Sequence, residues 1–115
     1  TVLWAPVTKP FAYSVLYYTD ESNDHWKFIR KELAKFEADY DVEKYSLTNY
    51  LDRIKAPITI FQGTNDNAVP LAWSNSFVKK LKSLDIKINY LIYPKADHNM
   101  NPVWGDVIIK TLENY

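Results

Sequence analysis

An α/β fold with three parallel strands is predicted by three features of the 115-residue sequence. Short apolar, β-rich runs occur near the start, in the middle and in the last third of the chain, each closed by proline or glycine. Segments of helical periodicity lie between and after them. The resulting order is strand, helices, strand, helix, strand, helix, which implies right-handed crossovers between parallel strands. Composition agrees: with 47% hydrophobic and 24% charged residues, a chain of this size buries roughly 65% of its unfolded surface as one compact domain.

Val2-Leu3-Trp4-Ala5, ended by Pro6 and Pro10, reads as a buried strand. Residues 11 to 23 pass from aromatic (Phe11, Tyr13, Tyr17, Tyr18) to polar and read as loop or short helix. From Asp24, a plausible N-cap, to Tyr40, the apolar positions Trp26, Ile29, Leu33, Phe36 and Tyr40 fall on one helical face. A second, shorter helical stretch covers about Val42 to Leu51. Pro57-Ile58-Thr59-Ile60-Phe61-Gln62 reads as a buried strand and Gly63 to Pro70 as the loop that leaves it. Pro70 suits the first turn of a helix whose apolar face is Phe77, Val78, Leu81 and Leu84, with Lys79, Lys80 and Lys82 in solvent. Ile86 to Tyr93 is the third strand, and Lys95 to Asn101 a loop. Pro102 opens a last helix with the face Trp104, Val107, Ile108, Leu112 and Tyr115.

Several function classes are excluded or left unsupported. Lys plus Arg and Asp plus Glu are 14 each, so no basic surface for nucleic acid or anionic membrane is indicated. No apolar run approaches the roughly 20 residues of a membrane span. The absence of cysteine removes disulfides, zinc–thiolate sites and thiol nucleophiles. It leaves the compartment open, with the cytoplasm slightly favoured; no signal-peptide pattern is present, and any signal is expected to lie upstream. The chain has no initiator Met and opens on strand-like residues, as if in mid-fold.

Sites in open parallel sheets form at the carboxyl ends of the strands. Two loops leave strands there, one carrying Asp66 and the other Asp97-His98. If those strands are neighbours, their axes lie roughly 4.8 Å apart and the loop side chains can meet. A carboxylate beside an imidazole fixes its tautomer and stabilises the imidazolium formed in proton transfer. Each residue also has a plainer reading. Asp66, flanked by Asn65 and Asn67, fits a local Asx turn, and His98 fits a loop histidine facing water. Asp97 is a competing partner for His98. Asp66, Asp97 and His98 could ligate a metal, but no ligand-spacing motif supports it. His25, beside Trp26, reads as a surface histidine. Tyr13, Tyr17 and Tyr18, with Trp26 and Phe28, suit either a substrate pocket or core packing.

Gly63-Thr64-Asn65-Asp66-Asn67-Ala68-Val69-Pro70 resembles the G-x-x-D-x-x-V-P segment of α/β-hydrolases, and Tyr93-Pro94-Lys95-Ala96-Asp97-His98-Asn99 resembles the segment after their last strand. The 32 positions from Asp66 to His98 leave room for one helix and one strand. Ile54-Lys55-Ala56-Pro57 resembles the usual lead-in to the penultimate strand. The flavour is closest to prolyl-oligopeptidase-like and dienelactone-hydrolase-like members. The resemblance is strong from about residue 50 onward and weaker over residues 1 to 10. It is absent over 11 to 49, where the family carries variable cap insertions. It implies that Asp66 is the triad acid, His98 the catalytic base, residues 11 to 53 a cap-like insertion and residues 54 to 115 the acid- and His-bearing part. It implies a substrate that is a small-molecule ester or acyl compound or a peptide, and no cofactor.

One departure from the family pattern matters. The nucleophile belongs in a G-x-S-x-G elbow, and Gly63 and Gly105, the only glycines, are too far apart to form it. None of Ser14, Ser22, Ser46, Ser74, Ser76 or Ser83 has the required neighbours. The resemblance therefore implies the C-terminal part of a serine hydrolase, inactive alone. Its first strand offers a free edge, expected to be covered by a second copy or by the N-terminal half. The competing expectation is a stand-alone binding or assembly module of the same fold without catalysis.

Overall fold

The computed structural model describes residues 1–20 and 26–114. These form two compact units, Thr1–Thr8 together with Asp52–Tyr115, and Lys9–Leu51. The first carries a three-stranded parallel sheet in the order β1 (Val2–Trp4), β2 (Ile58–Gly63), β3 (Ile88–Tyr93). Leu3 pairs with Ile60, and Ile60 in turn with Tyr90. The parallel α/β architecture expected from element order is thus present. β2 is central, and all six of its residues are buried, which explains why its sequence runs apolar rather than alternating.

Helix α3 (Leu71–Ser83) buries Trp73, Ser74, Phe77, Val78 and Leu81. The spacing rule found this face but assigned it Leu84, which caps the helix and is exposed. Trp73 and Ser74 belong in its place. Helix α4 (Trp104–Glu113) follows β3 and buries only Val107. Its other expected face residues, Trp104, Ile108 and Leu112, are exposed, and Tyr115 lies outside the described residues. Periodicity identifies an apolar stripe but not what covers it. β1 departs in the same way: it is partly exposed rather than buried, and Trp4 is exposed, because among the described residues its outer edge pairs with no strand. The core of this unit joins Ala5, Phe61, Met100 and Val107, with Val2, Leu91, Tyr93 and Val103 packed around them.

The second unit is helical. Phe11–Asp20 form α1, a full helix where sequence offered loop or short helix. Helix α2 (Lys27–Asp39) buries Leu33. Trp26 and Tyr40, counted on its apolar face, flank the helix and are exposed. The expected N-cap Asp24 and the surface residue His25 lie outside the described residues. The stretch read as one helix over Val42 to Leu51 is broken into three 3-10 turns, Val42–Tyr45, Leu47–Asn49 and Leu51–Arg53. Asp41 caps the first through its side chain, which accepts from Glu43 N. Ser46, buried between the first two turns, accepts from Phe11 N instead of continuing a helix. Among the described residues no helix is long and apolar enough to cross a membrane.

Candidate active site

β2 and β3 are hydrogen-bonded neighbours, so the loops that follow them leave the same sheet edge side by side. The loops are laced together by bonds donated from main-chain N–H groups. Thr64 N donates to Tyr93 O at 3.0 Å, Asn65 N to Ala96 O at 2.9 Å, and Lys95 N to Thr64 Oγ1 at 2.8 Å. Gly63 allows this approach. A Cβ there would lie 2.2 Å from Ala96 O and 2.8 Å from Asp97 O. The glycine is required by contact rather than by backbone angle.

The lacing brings Asp66 and His98 together. Asp66 Oδ2 lies 3.0 Å from His98 Nδ1. The Asp66 side chain is wholly buried, while that of His98 is 46% exposed. The other carboxylate oxygen, Oδ1, accepts from Ala68 N at 2.9 Å and Val69 N at 2.7 Å. Oδ1 thus makes the contacts of an Asx turn and Oδ2 the contact with His98. Gln62 Nε2 donates to Oδ2 as well, at 3.3 Å. A carboxylate only accepts, so a hydrogen bond across this contact is donated by the Nδ1–H tautomer of the ring. Nε2, on the other side of the ring, has no hydrogen-bond partner among the described residues.

Asp97 does not compete for the histidine. Its Oδ1 accepts from Asn99 N and Asn101 N, both at 2.9 Å, and its own N–H donates to Asn101 O. This closes a tight turn around His98. Lys95 and Met100, with φ of 65° and 61°, bracket the turn in the left-handed region, which costs side-chain-bearing residues about 1–2 kcal/mol each. The Asn101 backbone N–H holds the Asp97 carboxyl below its ordinary value of 3.8. A depressed pKa stabilises the turn above the unfolded value, and that stabilisation is lost as pH falls through the folded one. The Asn99 and Asn101 amide resonances are expected to keep their native positions down to pH 3.8 and to collapse below it. Collapse well above that pH would exclude Asp97 as the closing group.

Beside His98 lies a concavity of about 500 Å³ lined by Trp4, His98, Asn99, Met100, Asn101 and Trp104. The two indole rings meet edge to face, 4.9 Å between centroids, and Trp4 Nε1 donates to Thr111 Oγ1. At the end of β3, Tyr93 Oη donates to Asp106 Oδ2 at 2.7 Å and fastens α4 to the strand. Burial pushes the Tyr93 hydroxyl above its ordinary pKa, and the bond from Tyr93 lowers that of Asp106. Tyr13 and Tyr17 stack on α1, 6.2 Å apart and substantially exposed. Lys79, Lys80 and Lys82 are exposed on α3, as expected. Sequence reasoning passed over Gln62 and Ser74, both fully buried beside Asp66. The available signal was a lone amide ending the apolar run Ile58-Thr59-Ile60-Phe61-Gln62, together with a serine on the apolar face of α3.

The arrangement is an α/β-hydrolase fold whose strand-end loops join a carboxylate to an imidazole. A peptidase from Mycobacterium tuberculosis described as puromycin-hydrolyzing superposes with a TM-score of 0.61 at 22% identity, over 86% of this chain and 15% of that one. In sequence, residues 5–106 match the prolyl oligopeptidase family, and the chain belongs to it. The match also crosses residues 11 to 49, where no motif was recognisable. Dipeptidyl peptidase family member 6 of Caenorhabditis elegans is 33% identical over 84 residues, which is 66% of this chain and 11% of that protein. Dipeptidyl aminopeptidase BIII of Pseudoxanthomonas mexicana is 32% identical over 82 residues, 64% of this chain and 12% of that protein. The chain thus spans about a tenth of the length of these curated relatives.

Proposed function

We propose that this chain carries the acid and base of a serine peptidase. Asp66 orients and charge-stabilises His98, and His98 Nε2 takes the proton from a serine hydroxyl and returns it to the leaving amine. The observation that carries this reading is the 3.0 Å contact between a wholly buried carboxylate and a half-exposed imidazole. No G-x-S-x-G elbow occurs in the sequence, so the nucleophile and its oxyanion hole come from outside these 115 residues. Peptide substrates are favoured over simple esters because the similar curated proteins carry peptidase names. The helical unit Lys9–Leu51, inserted between β1 and β2, acts as a cap-like insertion.

The test is an assay in two parts. The purified 115-residue chain is expected to leave dipeptidyl aryl-amides and aryl esters unhydrolysed. A polypeptide in which this chain is joined to a nucleophile-bearing hydrolase portion is expected to turn them over. His98→Ala should lower its kcat by about 10⁴-fold or more with little change in KM. Turnover that survives His98→Ala, or wild-type turnover by the isolated chain, would refute the assignment.

A further inference from the structure

Three side chains with no solvent exposure stand in line behind His98. Ser74 Oγ lies 2.6 Å from Gln62 Oε1. Gln62 Nε2 faces Gly63 O at 3.1 Å, Val69 O at 3.2 Å and Asp66 Oδ2 at 3.3 Å. Asp66 Oδ2 meets His98 Nδ1. Gln62 and Ser74 are both 0% exposed, so no water competes for these groups.

The orientation of the amide follows from its neighbours. Three acceptors on one side require the NH₂ group there, because the carbonyl oxygen would find no hydrogen. The oxygen then faces Ser74, whose hydroxyl donates. The alternative rotation would bury an amide oxygen against two carbonyls and a carboxylate, with no hydrogen between them. The line is therefore polarised in one direction, from the Ser74 hydroxyl through the Gln62 amide to Asp66. Val69 O and Asp66 Oδ2 share the same donor group, so the amide also ties the Asp66 turn to the end of β2.

We infer that Gln62, held by Ser74, is a positioning residue: its amide fixes the Asp66 carboxylate and thereby sets His98 in the Nδ1–H tautomer, an inference that rests on the acid–base pairing proposed above. The reasoning is electrostatic. With Gln62 donating to Oδ2 and two backbone amides donating to Oδ1, Asp66 has no oxygen facing away from a donor. A carboxylate only accepts, so the ring must donate, and these three donors fix where the accepting Oδ2 stands relative to His98 Nδ1. Without Gln62, Oδ2 is held by His98 alone and the carboxylate can swing about the bonds that hold Oδ1.

The experiment is NMR of the 115-residue chain at a pH where His98 is neutral. In the wild type the ring ¹⁵N shifts should report the Nδ1–H tautomer, with an observable Nδ1–H proton. Gln62→Met with Ser74→Ala removes the amide and its hydroxyl partner together and conserves most of the volume, while Gly63 O and Val69 O lose the donor that Gln62 supplied. That double variant is expected to lose the Nδ1–H resonance to water exchange and to move toward mixed tautomers. An unchanged resonance and tautomer in a folded double variant would overturn the role of Gln62 while leaving the pairing intact. An Nε2–H tautomer in the wild type would overturn the pairing itself. A second readout needs no variant. The wild-type Gln62 side-chain amide protons should exchange with deuterium far more slowly than those of exposed Asn99, and equal rates would overturn the proposal.

Discussion

Gly63→Ala is expected to prise apart the two loops that hold Asp66 and His98. The added methyl would sit 2.2 Å from Ala96 O and 2.7 Å from Ala96 C, both backbone atoms that cannot rotate away. The bonds from Asn65 N to Ala96 O and from Thr64 N to Tyr93 O must lengthen to admit it. Overpacking costs typically 1–3 kcal/mol, and a clash with main chain belongs at about the upper end. A fall in Tm of about 10 °C or more follows for a domain of this size. The Asn65 amide should lose protection against hydrogen exchange. The folded fraction should also lose the His98–Asp66 contact, seen as loss of the His98 Nδ1–H resonance. A variant with wild-type Tm and intact resonance would show that the His98 loop is free to retreat and that contact does not impose the glycine.

Asp66→Asn is expected to disable the chemistry while leaving the loop largely in place. The retained carbonyl oxygen can still accept from Ala68 N and Val69 N. The new NH₂ group then faces the Gln62 amide and His98 Nδ1, donors against a donor. The imidazole can relieve this only by accepting at Nδ1, which moves its proton to Nε2, the nitrogen that must receive the proton from serine. Loss of hydrogen bonds to a buried charge costs roughly 1.5–3 kcal/mol of stability. The wrong tautomer costs about 10⁴-fold in kcat, measured in the joined, nucleophile-bearing polypeptide. Retention of activity within tenfold would mean that Asp66 serves the turn alone.

These two residues also mark how far the sequence could be read. The glycine, the aspartate and the spacing to His98 were all visible, because the chemistry of the loop needs particular residue types at particular positions. The sequence left open which reading of Asp66 held, Asx turn or partner of His98. The fold answers that each oxygen serves one of them. Asp97 shows the opposite case. Adjacency to His98 made it a rival in sequence, yet a side chain next in line cannot easily turn back onto its neighbour's ring, and it closes the turn instead. Gln62 and Ser74 were not legible, since an isolated amide in a strand and a serine in a helix carry no spacing rule. Their meaning depends on β2 and α3 facing one another.

The sequence by itself determined the order and type of the main elements of the sheet-bearing unit, because hydrophobic period and the placement of proline and glycine are local properties of the chain. It also carried the two segments that resemble the hydrolase pattern. Burial and partnership were decided only by tertiary structure. β1 and the face of α4 read as core, yet β1 is only partly buried and α4 buries Val107 alone, whereas nothing in the sequence marked Gln62 and Ser74 as partners sealed inside. Local pattern records where apolar side chains point along one element. What covers them, and which polar atoms share a buried line, depends on parallel strands meeting across long separations in sequence, as Ile60 does with Leu3 and Tyr90.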